Sequence, residues 1–399
     1  MNKNGFKSQE SFLSQEWRWW PLLPLYPYGK RKTICQELIP GQVWSLEQLQ
    51  GLYYVAVPIR LTVVKVSGGL MLFNPLPPTK ELLENLSRLI SAHGPVKTIV
   101  LPTASGLEHK ISLPALARAF PEAALWLCPG QWSFPISLPS SWLGIPKAKT
   151  KILLEDGIPH ENECLWISLG PLNIGLGRFQ EISCYHKKSK SLLVTDSLVG
   201  ISSNPPALFN LDPTPLLFHA RDKGNDPLID TRNSRKKGWA RLVLFASFLR
   251  PNDLSIPPIT SVLSNSLKPG LRNLKSHFGF YPFAWDDGWD NSLGNLLGEE
   301  RPLLQIAPVL ERLVFPRAKE SFLEWLEKII SIRGINWLIP AHYNAPLKFN
   351  SREIRGFKNK IKRRDWAPDN SNWKFLGFVD KTLLERGVVP ADPTKGFIN

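Results

Sequence analysis

Three loops of this chain carry side chains of the types that bind metal ions. The first loop, residues 102–110, contains Glu108 and His109, the second contains Asp196, and the third contains His342. Each loop directly follows a short apolar run that is typical of a β-strand. Because ligands bind at the carboxyl ends of strands in open α/β sheets, we expect these four side chains to converge. Two imidazoles and two carboxylates form a donor set that suits zinc, iron or manganese.

The elements that must position these loops are predicted to be β-strands joined by crossover helices. Ser67-Gly68-Gly69 separates two β-rich runs and predicts a hairpin, and Thr79 is expected to cap the helix that follows. The predicted strands are Leu52–Val57, Leu61–Val66, Leu70–Phe73, Val96–Leu101, Ala123–Cys128, Leu165–Leu169, Phe179–Tyr185, Ser191–Thr195 and Ile335–Ile339. Further helices are predicted over Leu113–Phe120, Trp239–Phe248 and Glu320–Ile332. Strands that alternate with helices favour an α/β fold with parallel strands.

The sequence predicts three parts. Residues 1–50 form an N-terminal extension rich in tryptophan and proline, which we expect to lie as an extended arm because prolines at this density prevent regular pairing. We expect three tryptophans of this arm to pack on the main domain: Trp17, Trp19 and Trp20. Residues 51–350 form the main domain, with an insertion at about 200–300 where prolines recur. Residues 351–399 form a basic C-terminal tail with seven Lys and Arg between positions 352 and 364.

The composition is that of a folded, basic protein. With 43% hydrophobic and 11% aromatic residues, disorder as the main state is excluded. The 49 Lys and Arg outnumber the 34 Asp and Glu, and the net charge of +15 favours an acidic protein or an anionic membrane surface as partner. Nucleic acid is less favoured, because few aromatic residues interleave the basic run. The longest apolar runs, such as Leu242–Leu249, are far shorter than the roughly 20 residues of a membrane span, so no transmembrane segment is expected.

The cysteines indicate a reducing environment. Cys35, Cys128, Cys164 and Cys184 are far apart and form no CxxC motif, and two of them lie within apolar strand-like runs. This pattern predicts buried, reduced thiols. The first 20 residues lack the apolar core of a signal peptide. We therefore expect a reducing compartment, with the protein free to dock peripherally on a membrane.

At these residues the chain resembles the metallo-β-lactamase fold superfamily. That superfamily places H-x-H-x-D-H after a strand, and the segment 103–109 lies over this motif with Ala104 and Gly106 at the first two histidine positions. Glu108 stands at the aspartate position, and His109 matches the last histidine. A further histidine, expected near residues 177–178, is also missing. The resemblance implies a four-layer α/β sandwich (αββα), with two mixed sheets face to face and helices outside.

The chain is more closely similar to a divergent branch of this fold, a domain family of unknown function found in photosynthetic prokaryotes and plastids. Coverage runs from about residue 17 to 350. The shared blocks are 20–30, Val57-Pro58-Ile59-Arg60, 103–109, 130–135, 193–196 and Leu216-Leu217-Phe218-His219-Ala220. The family supplies no established reaction, but the resemblance implies a cytoplasmic location or a stromal-type reducing compartment.

Two hypotheses of function follow from this resemblance. The three histidines of the first metal position are gone together, whereas Glu108, His109, Asp196 and His342 match the second position. The first hypothesis is therefore a mononuclear metal-dependent hydrolase of a small-molecule substrate, with one zinc, iron or manganese ion and with Glu108 or Asp196 as catalytic proton acceptor. The alternative is a catalytically inactive scaffold or assembly protein that binds an acidic partner or a membrane surface through its basic surface and its tryptophan-rich arm. Outside this set, His219 and Asp222 are expected to form a buried structural pair.

Overall fold

A computed structural model describes residues 25–131, 141–175, 177–294, 296–364 and 371–391. It contains a large mixed sheet, a smaller mixed sheet and helices on the outer face of each. The tryptophans of the predicted N-terminal arm, at positions 17, 19 and 20, lie outside the described residues.

The first sheet has eight strands in the order β1-β3-β4-β5-β6-β7-β8, with β2 paired to β3. Its strands are β1 (Leu25–Tyr26), β2 (Ile34–Ile39), β3 (Val43–Leu52), β4 (Val55–Val66), β5 (Gly69–Phe73), β6 (Val96–Leu101), β7 (Ala124–Leu127) and β8 (Thr150–Ile152). The strands β4 and β5 form the predicted hairpin, and β5 to β8 run parallel. The helix that connects β5 to β6 follows the cap residue Thr79. As predicted, the Thr79 side chain caps this helix, by accepting the Leu82 N–H.

The second sheet has five strands in the order β17-β16-β11-β10-β9. They are β9 (Cys164–Asn173), β10 (Arg178–His186), β11 (Ser191–Leu193), β16 (Trp337–Ile339) and β17 (Leu347–Lys348). The parallel pair β11 and β16 places residues 196 and 342 beyond neighbouring strand ends. Two short strand pairs lie apart from both sheets: β12 (Val199–Ile201) with β15 (Leu303–Gln305), and β13 (Leu254–Ser255) with β14 (Ala284–Trp285).

Ten α-helices accompany the sheets in the described part of the chain. They are α1 (Lys80–His93), α2 (Leu107–Lys110), α3 (Leu113–Ala119), α4 (Thr214–Ala220), α5 (Arg232–Phe248), α6 (Ile259–Ser266), α7 (Pro308–Leu313), α8 (Lys319–Ser331), α9 (Ser351–Lys362) and α10 (Trp373–Glu385). In α1 the apolar residues recur at helical spacing, so that Leu82 and Leu86 face the sheet and are fully buried.

Three hydrophobic clusters separate four layers. The first, between the sheets, joins side chains of the large sheet, such as Phe73 and Val100, to Ile182 and Leu193 of the small sheet. The second packs α1 and α3 on the outer face of the large sheet. The third packs α8 and α9 on the outer face of the small sheet. This order of layers confirms the predicted αββα sandwich.

The sheet begins earlier than the sequence indicated. The boundary predicted between residues 50 and 51 falls inside β3, and β2 and β3 pair across residues 34–47. The residues 34–50 are therefore part of the main sheet and not of an extended arm. Residues 43–52, with their mixed polar and apolar sequence, form a strand because β4 pairs with them along their whole length.

The basic segment at 351–362 is also part of the core. Ile354, Phe357 and Ile361 recur at helical spacing and are buried against the helix layer of the small sheet, while the cations of α9 face outward. Residues 351–362 thus form a packed helix, and the predicted division of the chain at residue 351 stays a prediction. The insertion at about 200–300 stays a prediction. The four cysteines are free thiols, three of them buried.

Candidate metal centre

The loop after β6 is held against the second sheet by backbone hydrogen bonds. Ile182 N–H donates to the Pro102 carbonyl at 2.8 Å, and Ala104 N–H donates to the Gln180 carbonyl at 2.9 Å. These bonds join the two sheets directly before the single turn of α2. As a result α2 presents Glu108 and His109 towards the ends of β11 and β16.

His109 is the most enclosed residue of the site. Its side chain has no exposed surface, and its Nδ1–H donates to the Pro75 carbonyl at 3.0 Å. Its Nε2 has no hydrogen-bond partner. Burial lowers the pKa of His109 below its usual value, so the ring is neutral at physiological pH. A neutral ring with Nδ1 protonated leaves the lone pair on Nε2.

His342 follows the parallel strand β16 and pairs with Ile59 of β4 in an isolated bridge. Its Nδ1–H donates to the Pro58 carbonyl at 3.3 Å. Its Nε2 lies 3.0 Å from Asp196 Oδ1 and 3.7 Å from Glu108 Oε1. Burial would lower the pKa of His342, but the two carboxylates outweigh it and raise the pKa to about 10. The metal-free ring therefore carries a proton on both nitrogens.

Glu108 is ionised in this setting. Burial would raise its pKa, but the adjacent His342 ring lowers the pKa of Glu108 to about 2. The side chains of His342, Asp196 and Glu108 are 15%, 21% and 25% exposed, respectively. One side of the site is thus accessible to solvent, whereas His109 closes the other.

Three of the four predicted side chains form a compact donor group. One ligand atom each from Glu108, His109 and His342 lies within 4.8 Å of the other two, and the two imidazole rings are 6.2 Å apart. Two donors each about 2.1 Å from a tetrahedral ion lie roughly 3.4 Å apart, close to the observed 3.7 Å between Glu108 and His342. Asp196 contacts His342 but stands outside this group of three.

Asp196 is held in place by a residue that sequence reasoning did not select. Glu181 of β10 is 1% exposed, and its carboxylate accepts the N–H groups of Thr195, Asp196 and Ser197 at 2.8–2.9 Å. It also accepts the Ser197 hydroxyl at 2.7 Å. The sequence does carry an indication of this role, because a glutamate inside an apolar strand needs several buried donors.

His342 is held by a second residue that was not selected. Arg60 of β4 is 1% exposed and forms an ion pair with Glu47 at 2.8 Å. Its guanidinium also donates to the Pro340 carbonyl and, at 2.5 Å, to the Tyr343 carbonyl. These bonds fix the backbone on both sides of His342. The run Val57-Pro58-Ile59-Arg60 held the information, since an arginine in a buried strand requires such partners.

The place of the missing first-metal histidines is filled by packing. Ala104 is fully buried in the cluster between the sheets. A Cβ on Gly106 would lie 2.7 Å from Thr103 Cγ2, which is closer than side chains normally approach. The buried Lys110 ammonium donates to the Ala104 carbonyl at 2.7 Å. Ala104 and Gly106 are thus closely packed, with no open space beside them for a first metal ion.

The expected pair of His219 and Asp222 does not form. Asp222 instead binds Lys237 at 2.7 Å and also pairs with Arg241, and neither ring nitrogen of His219 makes a hydrogen bond of normal geometry. The predicted pairing was therefore wrong.

Comparison with known proteins identifies the family. Residues 40–359 match the family described as a domain of unknown function, DUF4336. The chain belongs to this family. Its restriction to photosynthetic organisms stays a prediction. A search of curated proteins finds no match.

Solved structures that are similar to this DUF4336 chain have metallo-β-lactamase or flavodiiron names. A metallo-β-lactamase from Pontibacter korlensis is 11% identical, with a TM-score of 0.36, and the match covers 84% of this chain and 100% of the other. The mono-zinc form of FIM-1 from Pseudomonas aeruginosa is 10% identical, with a TM-score of 0.37, over 84% and 97% of the two chains. The metal-soaked Flv1 flavodiiron core from Synechocystis is 10% identical, with a TM-score of 0.39, over 83% and 61%.

The length and hydropathy of the helices in this DUF4336 chain bear on whether any of them could span a bilayer. Within the described ranges, none is both long and apolar enough to cross a membrane.

Proposed function

We propose that this divergent metallo-β-lactamase-like protein binds a single zinc, iron or manganese ion through Glu108, His109 and His342, and acts as a metal-dependent hydrolase. The observation that carries the proposal is the state of His109: a buried, neutral ring whose Nδ1–H is held by the Pro75 carbonyl and whose Nε2 has no partner. Metal-binding histidines in proteins are typically oriented by such a bond at the other ring nitrogen.

The energetics support a ligand at this nitrogen. A buried polar atom without a partner costs about 1–3 kcal/mol, and a metal bond would offset that cost. His342 has the same arrangement, because its Nδ1–H also donates to a backbone carbonyl and its Nε2 meets the carboxylates. Two imidazole nitrogens with one or two carboxylate oxygens form a donor set that fits these metals.

The partial exposure of the site supports catalysis over a purely structural role. Structural zinc sites are closed, whereas catalytic sites keep one position open. His109 closes the inner side, and the solvent-facing side is left to Glu108, Asp196 and His342. A bound divalent cation would supply Lewis acidity, lowering the pKa of a water and polarising the bond to be hydrolysed.

The chain's own residues would handle the proton. Asp196 lies outside the compact donor group but beside it, with its backbone fixed by Glu181. Its carboxylate is therefore placed to accept a proton from an attacking water, while Glu108 stays ionised as a ligand. In the metal-free protein the same carboxylates hold the proton of His342, which a metal would displace.

Elemental analysis of protein purified without chelator tests the metal site. We expect about one equivalent of zinc, iron or manganese, and loss of that equivalent in His109→Ala and His342→Ala. The matched control is His93→Ala at the end of α1, a half-buried histidine that packs on Trp44 away from the site and should leave the metal content unchanged.

A panel of esters, thioesters, lactams and phosphodiesters tests the reaction. Activity that requires the metal and falls in Asp196→Asn without loss of metal supports the proposed roles. If the wild-type protein takes up none of the three metals, the four side chains only hold the loops together by hydrogen bonds, and the scaffold hypothesis replaces the hydrolase.

A further inference from the structure

An apolar stripe on the surface stands apart from the proposed metal site. It consists of Ile256, Ile259, Leu263 and Leu267, which are 63%, 60%, 52% and 69% exposed. The last three are spaced four residues apart along α6 and its end, so they lie on one face of the helix. Three of these side chains share one helix face and the fourth precedes the helix, and an exposed apolar surface of this kind marks an interaction site.

The helix that carries the stripe is firmly attached to the domain. Val262, which lies about 100° around α6 from the stripe, is 1% exposed, and Leu271 just beyond the helix is also buried. The turn at Gly279 packs closely on the end of α6, because a Cβ there would lie 2.8 Å from the Asn265 carbonyl oxygen. This turn adds the half-exposed side chain of Phe278 near the stripe. The stripe is thus a rigid, outward-facing surface.

The charged residues of the segment that carries the stripe, Leu254 to Trp285, are all basic, with no Asp or Glu among them. The loop with Asp226 packs beside this segment, where Gly224 approaches Asn265 of α6. Lys268 and Arg272 are exposed directly after α6, and the Arg272 guanidinium donates to the Leu267 carbonyl at 3.0 Å, which places it at the end of the stripe. Lys275 lies further along, near Asp230.

We propose that the apolar stripe of α6, with Lys268 and Arg272, docks this protein on an anionic lipid bilayer. Exposed aliphatic side chains on one helix face, flanked by cations, are typical of helices that lie in a membrane interface. The lack of acidic residues over the whole segment complements an anionic surface and would serve no purpose against a neutral apolar partner. The net charge of +15 adds long-range attraction to the same surface.

Vesicle co-sedimentation of the full chain tests the proposal. We expect binding to phosphatidylcholine vesicles that contain phosphatidylglycerol, little binding to phosphatidylcholine alone, and weakening as salt is raised. Leu263→Asp with Leu267→Asp should reduce the partition coefficient by tenfold or more, since two apolar contacts are replaced by charges. The control Phe378→Asp on α10, at 64% exposure, should bind like the wild type.

A charge exchange separates this surface from the basic character of the whole molecule. Lys268→Glu with Arg272→Glu should weaken vesicle binding strongly, by about fivefold for each cation removed. Lys362→Glu with Arg363→Glu, at exposed positions at the end of α9, changes the net charge equally and should have a much smaller effect.

Four outcomes would overturn the proposal. The first is that the wild-type protein does not sediment with anionic vesicles at low salt. The second is that the Leu263→Asp, Leu267→Asp variant binds these vesicles as well as the wild type does. A dimer in light scattering that this variant converts to monomer would show that a second copy covers the stripe. Binding that requires removal of residues 1–24 would show that this segment covers it. Metal content is measured separately, so either proposal can fail alone.

Discussion

Two buried histidines of this protein each have a ring nitrogen without a hydrogen-bond partner, but the charged groups around the two rings differ. His109 and His219 are both fully buried, each has a ring nitrogen without a normal hydrogen bond, and burial lowers the pKa of both. His109 lies beside Glu108 and near His342 and Asp196. His219 instead has Arg221 and Arg241 as its charged neighbours. A cation is therefore attracted to the first ring and repelled from the second, so an unpartnered nitrogen indicates a metal site only where carboxylates accompany it.

The site around His109 should be broken most severely by Glu181→Ala. This change removes the acceptor of four buried donors, so we expect the free energy of unfolding to fall by about 3–5 kcal/mol. Urea denaturation measures the loss. Glu320→Ala, at an exposed position in α8, is the matched control and should change stability by less than about 0.5 kcal/mol. An equal effect of the two substitutions would show that the Glu181 cradle does not support the loop.

The surroundings of His219 predict a dependence on pH. Burial, with the charges of Arg221 and Arg241, lowers the pKa of His219 to about 3, whereas an unfolded histidine titrates near 6.5. As pH falls below 6.5 the unfolded state takes up a proton that the folded state does not, so stability is lost with acidification. The loss from this group is about 2 kcal/mol by pH 5.

His219→Phe should remove that part of the pH dependence. Unfolding curves at pH 7 and pH 5 should show a smaller loss of stability in the variant than in the wild type. Parallel losses in both proteins would mean that His219 is protonated in the folded state, and the contrast with His109 would disappear.

A histidine at position 104, where the resemblance has a first-metal ligand, tests whether this position is packed or can take part in metal binding. Ala104→His places a ring into the packed cluster between the sheets, and we expect a loss of about 1–3 kcal/mol from overpacking. The metal content should stay at one equivalent. A variant with wild-type stability and a second equivalent of metal would contradict the packing described at this position.

The smallest expected effect is that of His109→Leu without metal. The substitution loses the bond to Pro75, worth about 1 kcal/mol, and also removes the unpartnered Nε2, which costs about 1–3 kcal/mol. The metal-free variant should therefore be no less stable than the metal-free wild type. With zinc added, only the wild type should gain melting temperature. A zinc-dependent shift in the variant would exclude His109 as a ligand.

The sequence was most informative where a pattern is local. The Thr79 cap and the apolar face of α1 can both be seen in the sequence. The strands before the three loops are short and largely apolar. The likeness of 103–109 to an eroded metal-binding motif then selected Glu108 and His109, and the two later loops supplied Asp196 and His342. The structure brings all four into one region.

The sequence was least informative where the reason is tertiary. Strand β3 reads as mixed polar and apolar because both of its neighbours in the sheet supply the pairing. The segment of α9 is rich in Lys and Arg, so its three apolar residues at helical spacing were not recognised as a buried helix face. Glu181 and Arg60 do not touch each other or share a motif, and only the fold shows which backbone groups they hold.

The contact of Arg60 with residues 340–343 has a consequence for biogenesis. It joins groups 280 positions apart in the chain, and Ile59 pairs with His342 over a similar distance. A ribosome makes β4 long before it makes the strand that precedes His342, so the Arg60 guanidinium of the nascent chain lacks its two carbonyl acceptors. Folding through such distant contacts is slow and proceeds late. Under the proposed function, metal uptake would therefore follow synthesis of residue 342, because a chain arrested before that position has Glu108 and His109 without the His342 ring.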